Sequence, residues 1–142
     1  MQEDSPMEKN KDLGMGWHNF LVFCLGIRGV LGIIVAIVTI IASFMALEIP
    51  GIAVGVLSVG VSAFALVTRE RLKYLSSGAI NYVIGFYIAQ FIVGMTDSIV
   101  AYVISSTAGF DFGDLTWDVI FMVAMLLINI PYYKKREGMF VE

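Results

Sequence analysis

The sequence predicts an all-α fold, an integral membrane antiparallel four-helix bundle, and three observations carry that prediction. The 142 residues are 58% hydrophobic and only 15% charged, with a mean hydropathy of +0.85, well outside the balance of a soluble domain. Charge-free runs of 19, 20 and 23 residues occupy positions 29–47, 49–68 and 74–96. Each is long enough to cross a hydrocarbon core of about 30 Å at about 1.5 Å per helical residue. A fourth run, 119–133, has 15 residues and gains the missing length from positions 115–118.

These runs divide the chain into an N-terminal tail at 1–16, spans at 17–47, 50–68, 75–105 and 115–133, and a C-terminal tail at 134–142. The first run is too long for a signal-peptide h-region and lacks an A-x-A-like site behind it, so it is expected to remain as an anchor. Short joins imply antiparallel neighbours in an up-and-down bundle. No segment is long enough to form a soluble catalytic domain.

Span one opens at Trp17 and runs to the turn "LEIPG", where Pro50 disfavours helix at Ile49 and suits the first turn of span two. The second connection, "RERLKY", is charged and free of Gly and Pro. Helix is therefore expected to continue past the bilayer before reversing at Ser76, Ser77 and Gly78. The third connection, "SSTAGFDFGD", mixes Gly with Asp, and Asp114 or Thr116 is placed to cap span four. Small residues at Gly26, Gly29, Gly32, Gly51, Gly55, Gly85 and Ala89 offer grooves for close helix packing. Packing within one chain is the expected use, with Gly51-x-x-x-Gly55 also open to a homo-oligomer.

Charge sets the expected orientation. Lys9 and Lys11 lie in the first tail, Arg69, Arg71 and Lys73 in the second connection, and Lys134, Lys135 and Arg136 in the last tail. The other two connections carry only Glu48, Asp111 and Asp114. By the positive-inside rule both termini and the second connection face the cytoplasm, in a plasma membrane or bacterial inner membrane. Trp17, Trp117, Tyr132 and Tyr133 fall where aromatic rings anchor helices at the headgroups.

Polar residues inside the spans mark where chemistry is possible. Arg28 is a permanent cation in an apolar run and costs about 2.5–3.5 kcal/mol on insertion scales. Neighbouring Val, Ile, Leu and Phe residues between Val30 and Leu47 favour insertion by about 3–7 kcal/mol together, so the span tolerates it. Counting helical rise places Asn81 and Asn129 within about two turns of the cytoplasmic surface. Arg28 is expected to reach back towards them, forming a cluster suited to an anionic group or a lipid phosphate. Asp97 is counted about 15 Å or more from Arg28, near the outer boundary, with Gln90 between them in depth. A relay through Asp97, Gln90 and Arg28 is the alternative arrangement. His18, beside Trp17, is expected to be a solvated interfacial residue.

No phosphate-binding, dinucleotide, zinc-protease or nucleophile-elbow motif appears, and the single Cys24 excludes an internal disulfide or a thiolate cluster. Asp97 is read as the one intramembrane aspartate, which excludes an aspartate-pair protease. Neither a cofactor nor enzymatic activity is expected, and a net charge of −3 gives no reason to expect nucleic acid.

The segment "NIPYYKKREGMF" and the opening Gly16-Trp17-His18-Asn19-Phe20 resemble a group of small, largely uncharacterised bacterial four-helix integral membrane proteins. The resemblance implies the topology and no reaction. The chain departs from the small multidrug transporters, whose first span carries a glutamate where this one has Arg28, and this counts against a proton-coupled drug exchanger. Two functions are expected: a non-enzymatic protein acting by association with membrane lipid or a membrane-protein partner, in an accessory, assembly or immunity-type role; or a small oligomeric transporter or channel using Asp97, Gln90 and Arg28.

Overall fold

A computed structural model describes residues 14–104 and 112–140. Four helices follow in order: α1 (Gly16–Met45), α2 (Ile49–Lys73), α3 (Ala79–Ile104) and α4 (Phe112–Lys134), with a short 3₁₀ turn at Glu137–Met139. Each is long and apolar enough to cross a membrane. Consecutive helices pack against one another, so the chain is a multi-pass four-helix bundle with both ends of the described chain at one end, called here the terminal end.

The α1–α2 turn is closed by backbone bonds from Glu48 to Ser43 (2.8 Å) and from Leu47 to Phe44 (3.2 Å), with Leu47 in the left-handed region at φ 58°. Pro50 sits in the first turn of α2, where its missing N–H has no helical acceptor to lose. At the other end, α2 continues through Arg69 to Lys73, past the expected limit of span two. Arg71 and Lys73 in that last turn complement the partial negative charge of the helix C-terminus. The reversal uses positive φ at Leu75 (49°) and Gly78 (74°), so α3 begins at Ala79 instead of position 75. Helix α4 begins at Phe112, which puts Asp114 and Thr116 inside it and not at its cap. The Thr116 hydroxyl donates to the Phe112 carbonyl at 2.6 Å. The expected third connection falls mostly at 105–111, outside the described residues.

Glycine sets the α1–α2 contact. A Cβ on Gly29 would strike the Leu66 side chain at 2.5 Å, and one on Gly55 would strike Ile40 at 2.5 Å. Gly51 lies against Ser43, Gly26 under the Arg69 side chain, and Gly85 against Phe64 at 3.3 Å. Ala89 packs against the core. These small residues are all filled by this chain's own atoms, as intramolecular packing requires.

The core is concentrated towards the terminal end. It comprises Leu21 and Leu25 of α1, Val61, Ala65 and Leu72 of α2, Ala79, Val83, Phe86 and Tyr87 of α3, and Tyr133 of α4. All buried residues of α3 lie at or before Tyr87, and the buried pair of α4 is Asn129 and Tyr133. Beyond that level α1 and α2 stay in contact, while α1 and α4 enclose a wedge.

Candidate functional site: a polar cleft above the core

The wedge is closed at the terminal end by hydrogen bonds between α1 and α4. Trp17 Nε1 donates to Asn129 Oδ1 at 2.9 Å, and Asn129 Nδ2 donates to the Met125 carbonyl at 2.7 Å, which satisfies a side chain that is 1% exposed. The Tyr133 hydroxyl and His18 Nδ1 are 3.3 Å apart, and the His18 backbone N–H donates to the Tyr132 hydroxyl at 3.2 Å. Arg136 completes the closure, donating from Nη2 to the Gly14 carbonyl at 2.9 Å and from Nη1 to the Tyr132 carbonyl at 3.1 Å. His18 is thus buried in the closure and not a solvated residue. Trp17 likewise acts as a hydrogen-bond donor to α4.

Above this closure lies a space of about 340 Å³ walled by Trp17, Phe20, Phe86, Tyr87 and Phe121, with Arg28 and Gln90 at its margin. It adjoins a polar cleft of about 400 Å³ lined by Arg28, Ser58, Gln90, Asp97, Ser98, Trp117 and Asp118. A third space, of about 500 Å³, runs along α1 and α2 past Ile27, Leu31 and Val35 and shares Arg28, Ser58 and Asp97 with the cleft. Arg28 therefore stands where all three meet. It lies about 18 Å along α1 from Gly16, while Asp97 and Asp118 lie about 10 Å and 9 Å from the far ends of α3 and α4.

The direction of Arg28 has a local cause. A Cβ on Gly32 would meet both Arg28 Nη1 and Ser62 Oγ. The guanidinium thus lies over Gly32, one turn further from the terminal end, in space that only glycine leaves open. This corrects the expectation that Arg28 reaches back to Asn81 and Asn129. Those three residues do not form one cluster: Asn129 is held by Trp17 and Met125, and Asn81 lines a separate surface groove with Ser77, Lys134 and Glu137.

Asp97, Gln90 and Arg28 do come to a common cleft, although no Arg28–Asp97 ion pair forms within 4.0 Å. Arg28 reaches the cleft because its side chain runs over Gly32, away from the terminal end. Asp118 is the residue that sequence reasoning missed, having treated it as borrowed span length. Its carboxylate lies against Gly94, where an added Cβ would come within 2.6 Å of Oδ2. The spacing of Gly94 and Asp118 in sequence carried no sign of this contact.

Chemically, the cleft offers a cation, two carboxylates, an amide and hydroxyls at a depth where apolar side chains otherwise dominate. Groups so placed interact more strongly than in water. Among the described residues no set of three His, Cys, Asp or Glu side chains is arranged to hold a metal ion. In comparison with known proteins, the chain matches no family model, no curated protein and no solved structure.

Proposed function

We propose that the chain is a small membrane carrier whose binding site is the cleft of Arg28, Gln90, Asp97 and Asp118. One observation carries the reading: side chains from α1, α3 and α4 that are each costly in lipid converge on one cavity. Ser58 of α2 completes the lining, so all four helices contribute, as a site at the axis of a helical carrier requires. The wedge between α1 and α4 provides a path along which the helices can separate, while the Trp17–Asn129 and Arg136–Gly14 contacts hold one end shut.

The carrier reading is non-enzymatic, since binding and release at the cleft require no bond to be made or broken. The proposed setting is a plasma membrane or bacterial inner membrane with both termini and the Arg69–Lys73 turn in the cytoplasm. The reading of an accessory or immunity-type protein that acts by association keeps the apolar outer faces as its support. The small-residue grooves no longer contribute to it, because Gly29, Gly32, Gly51 and Gly55 are filled from within.

The test is side-specific labelling. Ser98→Cys in a Cys24→Ser background places a thiol in the cleft, and a membrane-impermeant maleimide is added to intact cells and to inverted vesicles. A carrier predicts reaction from both sides, because the site opens to each in turn. Reaction from neither side rejects the reading.

A further inference from the structure

Arg28, Asp97 and Asp118 face one cleft, yet no two of them pair within 4.0 Å. Charges carried to membrane depth without a partner are costly, and an opposite charge placed on each relieves that cost. Ser62 Oγ, buried in the α1–α2 contact and not part of the cleft lining, lies beside Arg28 Nη1 over Gly32. The cleft therefore presents positive charge on the α1 side and negative charge on the α3–α4 side.

A simple anion would satisfy Arg28 and be repelled by two carboxylates. A simple cation would satisfy one or both carboxylates and leave Arg28 unpaired. We infer that the cleft takes a compact zwitterion, its acidic oxyanion group on Arg28 and its ammonium group between Asp97 and Asp118. The inference rests on the carrier reading and names its ligand class. The sum of charges agrees: one cation and two carboxylates leave −1, which suits a ligand of net charge 0 to +1 and not an anion. About 400 Å³ accommodates such a group. The adjoining aromatic wedge of Trp17, Phe20 and Phe121 receives an apolar substituent. The same chemistry occurs in a free α-amino acid with an apolar side chain and in the headgroup of phosphatidylethanolamine.

The experiment uses the full chain in a non-ionic detergent, with Cys24, which lines the wedge, as reporter. Protection of Cys24 from alkylation is titrated with L-leucine, with its methyl ester, which keeps only the cation, and with N-acetyl-leucine, which keeps only the anion. In parallel, lipid retained by the protein is measured by native mass spectrometry with phosphatidylethanolamine and with phosphatidylglycerol, which lacks the ammonium. The zwitterion in at least one arm is expected to bind about tenfold or more tightly than its single-charge analogue, since each lost charge-assisted contact is worth at least that factor. Protection by leucine identifies a free solute, and retention of phosphatidylethanolamine alone identifies the lipid.

Arg28→Leu should abolish the preference over the methyl ester, and Asp118→Asn the preference over the N-acetyl form. The analogues on wild-type protein decide the matter even where a variant does not fold. Equal binding of the ester and leucine together with equal retention of the two lipids, or no binding in either arm, overturns the zwitterion site. Two-sided labelling at position 98 is read independently, so the carrier reading stands or falls separately.

Discussion

Trp17 Nε1 donates a 2.9 Å hydrogen bond to Asn129 Oδ1, joining the first turn of α1 to the penultimate turn of α4 across 112 positions of sequence. Together with the bond from Asn129 to the Met125 carbonyl, it fixes the end of the bundle from which the wedge opens. Replacing Asn129 by Leu leaves the indole N–H without its acceptor. Polar contacts between membrane helices average about 0.6 kcal/mol and reach about 1.7, so Asn129→Leu is expected to lower stability by about 1 kcal/mol. Trp17→Phe should cost a similar amount, and the double variant less than the sum. Unfolding in mixed micelles measures all three, and strict additivity would show that the pair is not coupled.

Arg136 anchors the N-terminal approach to α1 by geometry more than by charge. Its guanidinium stacks 3.7 Å from the Tyr132 ring centroid while donating to two carbonyls. A lysine ammonium cannot hold that planar fork. Arg136→Ala is expected to cost about 1–3 kcal/mol, and Arg136→Lys to recover less than half of it. Thermal unfolding in detergent gives the comparison, and full recovery by lysine would mean that charge alone suffices.

The four helices were legible because lipid demands long apolar runs, and a run such as 74–96 has no other reading. The cleft was only partly legible. Arg28, Gln90 and Asp97 stand out as polar residues within apolar segments, but their meeting depends on helix rotation and on where Arg28 points. The absence of a side chain at Gly32 decides that direction. Asp118 was hidden because its position near a span end looks like a boundary. Its role appears only when Gly94 of the neighbouring helix is seen to make room for it. Asn129 was misassigned for a related reason: its partner is set by the packing of α1 on α4, not by depth.

The contrast between glycines tests that explanation. An added methyl at Gly60 meets nothing within 4 Å, whereas one at Gly32 meets Arg28 and Ser62. Gly60→Ala should leave stability nearly unchanged, or raise it slightly through helix propensity. Gly32→Ala should cost about 1–3 kcal/mol by overpacking, and it should displace the guanidinium and alter the rate of Cys24 alkylation. The two variants differ in position and not in chemistry, so equal effects on stability would show that Gly32 does not hold the arginine in place.

Gly94→Ala separates the position of Asp118 from its charge. The substitution changes no ionisable group, yet its Cβ would lie 2.6 Å from Oδ2, so the carboxylate must move. The far end of a short side chain can shift at modest energetic cost, and the fold is expected to survive with a loss of about 1 kcal/mol or less. Ligand protection of Cys24 should nevertheless weaken by several-fold, in the same direction as in Asp118→Asn and to a smaller extent. Combining Gly94→Ala with Asp118→Asn should add little, since the second change removes the charge that the first displaces. If Gly94→Ala binds as the wild type does while Asp118→Asn does not, the carboxylate acts through its field at a distance and its seat against α3 has no part in recognition.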